Sequence, residues 1–466
     1  NPMLLLTLAA AWAAGGAVSG SLLSSPHRHH YQRVEHRPHG HGGHRMTRVP
    51  MMPSRSKQQL LRLRRQLHSR AALPSQEGTP TLAVYTHTDC LRHKVTFHPE
   101  SPERLRHLIE DVMPELSADL GFPLVQPDRN PTREELSRVH TDKYIDTAFE
   151  AFQQVSDGEP SVYLDSDTQV VEGTQDSAVR AAGVTLQAVE DVVEGRVRRA
   201  FVMVRPPGHH AESKTAMGFC VFNNILIGLA HAQAKYPDTI RKAALLDFDV
   251  HHGNGGQEGC DTDPNRFFAS THQAPLFPWK GLARETGVDL NVINVPLPKD
   301  SSPQDFVDAW ENTILPKVKG FDPDIIFISA GFDAHPDDPL ASLNIEEEHF
   351  GYVTEKIAHL ANEVSRGCIV SVLEGGYDPH ALGRCVKAHL TSLANVPEPS
   401  HEQLSREPSA LASSSSSSSS TSQMLFTPEQ LQAMDKSTLR AELSARGLPT
   451  SGRLDALRER LAQIRA

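Results

Sequence analysis

Two acidic residues and one histidine of this chain have the types and the spacing of ligands in a catalytic zinc site. Asp249 and His251 directly follow an apolar run that ends at Phe248, and Asp333 follows another, Ile325–Ile328. Side chains two residues apart in extended chain point to the same side, so Asp249 and His251 can share one ion. Two carboxylates and an imidazole leave a fourth position open for water. Helix capping and chance surface histidines are the alternatives, but the combination favours a metal site.

The segments around these residues alternate between apolar runs of strand length and patterns with the helical period. The predicted strands are Leu82–Tyr85, Ala200–Val204, Ala243–Phe248, Phe267–Thr271, Val292–Val295, Ile325–Ser329 and Ile369–Leu373. The predicted helices include Ser177–Glu194, Asn223–Lys235, Pro303–Val318 and Glu346–Val364. This alternation predicts an α/β fold with a mainly parallel sheet and helices on both faces. Such sheets bind ligands beyond the carboxyl ends of their strands, where all the candidate residues lie.

Charge and composition divide the 466 residues into unlike parts. Residues 1–80 carry a net charge of +9 and residues 423–466 carry +2, while the whole chain carries −11, so −22 falls on residues 81–422. An acidic centre with basic ends indicates an enzyme body with targeting and interaction segments, and it argues against nucleic-acid binding by the body. The five cysteines are widely spaced, which excludes a disulfide framework and favours a reducing compartment.

The first residues have the composition of targeting segments. Residues 1–20 are apolar and end in small residues, as in a signal peptide, and residues 21–79 are rich in Arg and His and poor in acids, as in a disordered transit peptide. This order is typical of the two-part presequence of proteins that enter plastids of secondary origin. A mitochondrial or nuclear location and an uninformative tail are the alternatives. No membrane contact is expected of the mature form.

Three further segments complete the predicted organisation. Residues 80–396 are expected to form the catalytic domain, and residues 397–423, which contain an unbroken serine run, a flexible linker. Residues 424–466 predict a small all-α motif, in which a first helix ends at Gly447 and a second begins near Ser451.

Seven longer motifs give the chain a resemblance to a known family. They are HPESPERL (His98–Leu105), VHTDKYI (Val139–Ile145), RPPGHHAE, MGFCVFNN, LDFDVHHGNG, SAGFDAHPDDPL and LEGGYD. In this order, over roughly residues 81–395, they resemble the zinc-dependent histone deacetylases, most closely class II and its bacterial relatives. The resemblance implies a three-layer αβα sandwich of the arginase/deacetylase type, in agreement with the strand and helix pattern.

The resemblance also implies the chemistry of the site. Asp249, His251 and Asp333 would hold one zinc ion, which polarises the acetyl carbonyl and acidifies the attacking water. Tyr377 would donate its hydroxyl to the developing oxyanion. Some class II members carry His at that position and are nearly inactive, so the tyrosine predicts a catalytic protein.

Two histidines and their partners would move the proton and stabilise charge. By resemblance, His210 takes the proton of the water and later passes one to the leaving amine. His209, oriented by Asp247, would contribute charge and a hydrogen bond. Asn254 stands behind His210 where class I members have Asp, and an amide cannot supply a negative charge, so His210 is expected to be less basic than in that class.

The resemblance further implies a narrow substrate tunnel and a second cation site. Gly218 would line the tunnel, and Phe219 and Phe277 would clamp the lysine methylenes. Leu340 occupies a position where polyamine-selective relatives have Glu, which favours acetyl-lysine in a peptide. Asp165 and Asp167 would hold substrate amides at the rim, with a plain loop turn as the alternative. A structural potassium site would consist of Asp247, the backbone of Asp249 and His251, and Ser270.

The leading prediction is hydrolysis of the acetyl amide of N6-acetyl-lysine in proteins, with release of acetate. One alternative is a deacetylase of small amines such as acetylpolyamines. Another is a binuclear manganese ureohydrolase of the arginase type, which needs a second Asp-x-Asp pair, whereas Asp333 is followed by Ala334 and His335. The third is a non-catalytic scaffold that binds acetyl-lysine or DNA, against which the intact Tyr377 argues.

The C-terminal motif resembles a SAP motif, in which two helices around a Gly-Leu turn contact DNA. The resemblance lies in LRAELSARGLPTSGRLDALRERL (Leu439–Leu461). Arg446, Arg453 and Arg458 would contact phosphates. DNA is therefore a second predicted partner, beside an acetylated protein substrate, and a helical hairpin for protein contact is the alternative.

Overall fold

The computed structural model describes residues 79–405, 432, 434–445, 454 and 457–458. The predicted signal-like and transit-like segments lie outside the described residues, as does most of the predicted serine-rich linker.

Ten strands occur in the described residues. They are β1 Leu82–Tyr85, β2 Leu124–Val125, β3 Val162–Tyr163, β4 Gln169–Val170, β5 Arg199–Val202, β6 Ala243–Asp247, β7 Arg266–Gln273, β8 Val292–Leu297, β9 Ile325–Ala330 and β10 Ile369–Leu373. Eight of them form one sheet in the order β2-β1-β5-β10-β9-β6-β7-β8, and every neighbouring pair is parallel. Strands β3 and β4 form a separate antiparallel pair. The predicted mainly parallel sheet is confirmed.

Helices lie between the strands and after the last one. They are α1 Pro102–His107, α2 Met113–Leu120, α3 Arg133–Ser137, α4 Asp142–Ser156, α5 Thr174–Val193, α6 Asn224–Lys235, α7 Asn254–Glu258, α8 Pro303–Asp308, α9 Leu315–Phe321, α10 Glu347–Val364, α11 Pro379–Asn395, α12 His401–Leu404 and α13 Lys436–Ala445. Turns of π-helix, Leu108–Val112 and Ala309–Ile314, join α1 to α2 and α8 to α9, and 3₁₀ turns lie at Thr88–Leu91 and Val288–Leu290.

Different helices cover the two faces of the sheet. Phe327 of β9 pairs with Val370 of β10, so the next residue, Ser371, points to the opposite face. The Phe327 ring lies beside Gly228 of α6. The Ser371 hydroxyl lies 2.9 Å from Nε2 of His389, which belongs to α11. The sheet is therefore the middle layer of the predicted αβα sandwich.

The candidate site residues follow neighbouring strands in the middle of this sheet. The order β5-β10-β9-β6 is continuous, and these four strands precede, respectively, the segments 205–210, 374–377, 333–340 and 249–254. Because all four strands are parallel, their carboxyl ends meet at one edge. The topology thus brings together residues that are up to 172 positions apart in the chain.

The sequence patterns locate the long elements and miss the short ones. All seven predicted strands are present with ends shifted by at most two residues. Strand β2 and the pair β3–β4 were not predicted, because two-residue strands carry no periodicity. The predicted helix Pro303–Val318 is interrupted by a π-turn and extends to Phe321.

Residues near the predicted end of the catalytic domain are tied to the sheet. The buried Arg199 guanidinium donates to the carbonyl oxygens of Leu393, Val396 and Pro397. In the C-terminal motif, Leu439, Leu443 and Leu457 are buried, while the parts of the motif around them are largely outside the described residues. Among the described residues, no helix is long and apolar enough to cross a membrane.

Candidate active site

Asp249, His251 and Asp333 converge as predicted. One ligand atom from each lies within 4.8 Å of the other two, and all three residues are buried. His251 Nδ1 lies 2.9 Å from Asp333 Oδ2 and 3.2 Å from Asp249 Oδ1. Two buried carboxylates around one imidazole form a compact anionic site, and such a site is stabilised by a bound cation.

Backbone amides hold the two carboxylates in place. Gly375 N donates to Asp249 Oδ2 at 2.8 Å, and Val250 N donates to Asp333 Oδ1 at 2.9 Å. A Cβ atom at Gly375 would overlap the carboxylates of both aspartates, and one at Gly331 would overlap Asp249. The glycines of the LEGGYD and SAGFD motifs are therefore required by the close approach of backbone to ligand.

The charges of the site shift the pKa values of these ligands in opposite directions. Burial alone would raise the pKa of Asp249, but the neighbouring imidazoles of His209 and His251 outweigh it and lower that pKa below its ordinary value. Burial and the charge of Asp249 raise the pKa of Asp333. The two acids therefore differ in pKa even before the charge of a metal ion is considered.

Two carboxylates hold His209, one through its ring and the other through its backbone. Its Nδ1 lies 3.0 Å from Asp247 Oδ2, and the backbone nitrogens of Gly208 and His209 donate to Glu374 Oε2 at 2.7 and 3.1 Å. Burial disfavours the charged ring, but Asp249 and Asp247 raise the pKa of His209 to about 10. Glu374 was not assigned a role from the sequence, although it lies at the end of β10 within the LEGGYD motif.

His210 has a neutral partner instead. Its Nδ1 lies 2.9 Å from Asn254 Oδ1, and its ring centroid is 3.9 Å from that of His209. Burial, and then the charges of His209 and His251, lower the pKa of His210 well below its ordinary value. The pKa values of the two adjacent histidines are therefore shifted in opposite directions.

Tyr377 is half-buried at the end of the LEGGYD segment. Its backbone nitrogen donates to Asp338 Oδ2 at 2.6 Å, and the Arg104 guanidinium lies 4.8 Å from the centre of its ring. Arg104 also donates to the carbonyl oxygens of Glu374 and Gly376. Neither Asp338 nor Arg104 was predicted, although both belong to quoted motifs, DDPL and PERL.

The two aromatic residues assigned to the substrate tunnel lie beside different site residues. Phe277 contacts the His210 ring with centroids 5.1 Å apart, and Phe219 lies 6.1 Å from the Tyr377 ring. Gly218 has a φ of +56°, and a Cβ there would overlap the His210 ring. A glycine is therefore needed where the chain passes over the second histidine.

The remaining predicted substrate residues lie around this region. Asp167 Oδ1 accepts from Gly218 N at 2.9 Å, which ties the β3–β4 hairpin to the segment that passes over His210. Asp165 accepts from the backbone of Ser166 in that hairpin. Leu340 is half-buried, and its backbone nitrogen donates to Asp338 Oδ1 at 3.0 Å.

Residues predicted to bind potassium are also adjacent. Asp247 and Ser270 are paired in the register of β6 and β7, and Asp247 Oδ1 accepts from Asp249 N at 3.0 Å. The Ser270 hydroxyl lies 2.9 Å from His272 Nδ1.

In the C-terminal motif, Arg458 donates to the backbone of Gln432 at 2.8 Å. Arg446 and Arg453 lie outside the described residues.

The parallel sheet of this αβα sandwich thus brings two buried aspartates, three histidines and a tyrosine together beyond its strand ends, where α/β folds of this kind bind ligands. A family model described as "Histone deacetylase domain" matches residues 98–393. That range is more than half of the chain, and the chain therefore belongs to the histone deacetylase family, as the resemblance implied.

Named relatives agree with this assignment. Type-2 histone deacetylase 2 of Dictyostelium discoideum is 33% identical over 361 residues, which are 67% of this chain and 21% of that protein. Histone deacetylase 14, chloroplastic, of Arabidopsis thaliana is 34% identical over 67% of this chain and 77% of that protein. The chain thus spans about a fifth of the first relative and most of the second.

A solved structure has the same fold. The crystal structure of the HDA15 HD domain is similar to this chain with a TM-score of 0.60 and 30% sequence identity, over 70% of this chain and 92% of that domain. The predicted arginase/deacetylase type of α/β fold is confirmed by this similarity.

Proposed function

We propose that the protein hydrolyses the acetyl amide of N6-acetyl-lysine side chains in proteins, with zinc as its metal, and releases acetate. The observation that supports this most strongly is the convergence of Asp249, His251 and Asp333 within 4.8 Å, beside a neutral histidine and a tyrosine. Membership of the histone deacetylase family supports deacetylation as the reaction.

The donor set fits zinc. Two carboxylate oxygens and the His251 Nδ1 atom are ligand types that zinc prefers, and three protein ligands are usual for catalytic zinc. Asp249, His251 and Asp333 would hold the ion. When bound, zinc supplies Lewis acidity to the acetyl carbonyl and to the attacking water. The second Asp-x-Asp pair expected of a binuclear arginase-type site is not present after Asp333.

His210 is suited to act as the general base. Its lowered pKa keeps the imidazole neutral at physiological pH, so Nε2 can accept a proton from water and later transfer it to the leaving lysine amine. His209, whose pKa is raised, would remain a cation next to it and donate a hydrogen bond to the developing negative charge. This division of roles follows from their partners, Asn254 and Asp247.

Tyr377 would donate its hydroxyl to the oxyanion of the tetrahedral intermediate. Burial raises the pKa of Tyr377 well above its ordinary value, so the hydroxyl keeps its proton and remains a donor. Arg104 and Asp338 hold the ring and the backbone of this residue. These contacts supply the preorganisation that oxyanion stabilisation needs.

The walls of the site favour an acetyl-lysine on a polypeptide. Phe277 lies beside the His210 ring and Phe219 beside the Tyr377 ring, and both would contact the apolar methylenes of the lysine stem. Leu340 offers no charge to a distal ammonium, which argues against acetylpolyamines. Asp167, and with less structural support Asp165, would meet substrate backbone amides at the rim.

The reaction is tested with the full-length purified protein, loaded with zinc, on an acetylated peptide and on acetylspermidine. We expect acetate release from the peptide, with a kcat/KM at least about tenfold above that for acetylspermidine, which corresponds to the loss of one good contact. A preference for acetylspermidine would overturn the protein substrate, and inactivity on both with zinc bound would favour the scaffold alternative.

We further propose a plastid location, supported by the chloroplastic relative and by the composition of residues 1–79. A fluorescent fusion of residues 3–80 would accumulate in plastids, and accumulation in mitochondria or the nucleus would refute this.

The structural potassium site at Asp247 and Ser270 is also a proposal. It is tested by comparing the thermal stability of the protein in potassium with that in lithium.

We propose DNA as the ligand of the C-terminal motif. Deleting residues 424–466 would leave peptide deacetylation unchanged but abolish salt-sensitive retention on immobilised duplex DNA. Equal retention of the full-length and shortened proteins would instead favour the hairpin as a protein-contact element.

A further inference from the structure

A chain of side-chain hydrogen bonds runs outward from His210 through Asn254 to Glu212. Asn254 Oδ1 lies 2.9 Å from His210 Nδ1, and Asn254 Nδ2 lies 2.7 Å from Glu212 Oε1. Asn254 is 3% exposed, whereas the Glu212 side chain is 19% exposed and forms an ion pair with Lys280. These hydrogen bonds connect the proposed base, His210, to the Glu212 carboxylate, which has no role in the reaction described above.

The neighbours of Asn254 fix which end of its amide faces His210. The amide nitrogen meets three groups that only accept hydrogen bonds: the Glu212 carboxylate, the backbone oxygen of His210 at 3.1 Å, and the Met217 sulfur at 3.2 Å. A rotated amide would direct its oxygen at the carboxylate and the carbonyl, which is repulsive. The oxygen of Asn254 therefore faces the imidazole.

This orientation decides the tautomer of His210. An amide oxygen can only accept, so Nδ1 of His210 must carry the hydrogen of the contact. In a neutral imidazole the other nitrogen, Nε2, then has the free lone pair. Only this tautomer can take a proton from water at Nε2. With the amide reversed, the NH2 group would face Nδ1, and Nε2 would carry the hydrogen instead.

The backbone of Glu212 is itself held in place. Its carbonyl oxygen accepts from His140 Nδ1 at 3.0 Å, and its nitrogen donates to the carbonyl of Thr215 at 3.0 Å. His140 is buried, and its Nε2 accepts from Asn223 N at 3.0 Å. The carboxylate is thus presented to Asn254 from a fixed turn, and its position does not depend on the exposed lysine alone.

We propose that Glu212 is a positioning residue: it locks the Asn254 amide in the orientation that keeps His210 in the tautomer with a free Nε2. This role rests on the proposed function, in which His210 is the base. A carboxylate directly behind the ring would orient His210 by itself. Here the Glu212 carboxylate orients His210 indirectly, through the Asn254 amide.

A double-mutant cycle tests this role by reversing the direction of the hydrogen bond. Asn254→Asp keeps an acceptor for His210 Nδ1 but places two carboxylates against each other, and their repulsion moves residue 254 away from the ring. We expect kcat to fall at least about tenfold with a KM within about twofold. Glu212→Gln keeps an acceptor for Asn254 and is expected to lose less. In the double variant, the new amide at 212 can donate to the new carboxylate at 254, and kcat is expected to recover to within about threefold of the wild type.

Glu258→Gln is the matched control. The Glu258 carboxylate accepts from Ser213 N at 2.6 Å, and among the described residues it forms no side-chain hydrogen bond with Asn254. It should not change the effect of Asn254→Asp. A double variant no more active than Asn254→Asp would overturn the role of Glu212. An inactive, zinc-loaded wild type would overturn the proposed function and this role with it. That result is distinguishable, because failure of the Glu212 role alone leaves the wild type active.

Discussion

The Asp338 carboxylate holds the backbone of Tyr377: its Oδ2 atom accepts from the tyrosine nitrogen at 2.6 Å. The other oxygen accepts from Leu340 N at 3.0 Å. Asp338 is buried, and burial together with the charge of Asp333 raises its pKa to about 7. One carboxylate thus fixes the backbone of both the proposed oxyanion donor and Leu340, a proposed substrate contact.

Replacing the tyrosine tests its role as an oxyanion donor. Tyr377→Phe should lower kcat on an acetylated peptide by about two to three orders of magnitude, the effect of losing one such donor. The KM and the zinc content should change little, because no metal ligand is altered. A variant as active as the wild type would refute this role of the hydroxyl.

A glycine next to the metal ligands tests the packing of the site. A Cβ at Gly375 would overlap the Asp333 and Asp249 carboxylates, so Gly375→Ala should reduce the zinc content per chain and abolish activity. Gly320→Ala is the control, because a Cβ there has no neighbour within 4 Å among the described residues. Both are checked by elemental analysis of the purified proteins, and full zinc occupancy in Gly375→Ala would contradict the close approach of this backbone to the ligands.

The side chain at position 340 tests the choice of substrate. Leu340→Glu introduces a carboxylate into the tunnel wall, where it can pair with the distal ammonium of an acetylpolyamine. The ratio of kcat/KM for acetylspermidine to that for an acetylated peptide should rise about tenfold or more. Leu340→Gln, which has nearly the same shape without the charge, should leave the ratio near the wild-type value. An unchanged ratio in Leu340→Glu would place the residue away from the substrate.

A buried histidine in the core predicts loss of stability in acid. Burial lowers the pKa of His389 to about 3, while in the unfolded chain it is near 6.5. The unfolded state therefore binds the extra proton, and the stability that the neutral ring contributes is present above pH 6.5 and is lost as the pH falls toward 3.

The measurement is denaturant unfolding of the wild type and of His389→Gln between pH 7 and pH 4. The free energy of unfolding of the wild type should fall more steeply, by about 1.4 kcal/mol per pH unit once the unfolded histidine is protonated. His389 contacts the hydroxyls of Thr354 and Ser371, so the variant is expected to be less stable at pH 7. Equal slopes for the two proteins would show that His389 is not kept neutral by the fold.

The sequence predicts the convergence of Asp249, His251 and Asp333 because all three follow the ends of strands. Asp249 and His251 are close in the chain, and Asp333 follows a strand that pairs directly with the strand before them. The periodicity of the strands and the positions of these residues at strand ends were therefore sufficient to predict that they meet. The long buried strands were found for the same reason. Strand β2 and the β3–β4 hairpin were missed, since two residues show no alternation.

The supporting contacts were harder to predict. Arg104, Asp338, Glu212 and Glu374 belong to motifs that were recognised, but their roles depend on contacts across up to 272 residues of sequence. An Arg104 side chain that reaches Gly376 leaves no pattern in a single sequence. Glu374, a buried acid in the glycine-rich LEGGYD motif directly after a strand, was the clearest available signal.

The zinc content of the purified protein tests the central claim most directly. Elemental analysis should find about one zinc per chain in the wild type and almost none in Asp333→Ala, because the site has three protein ligands and the loss of one removes most of its affinity. Zinc bound equally by both proteins, or no transition metal in the wild type, would contradict the metal site formed by Asp249, His251 and Asp333.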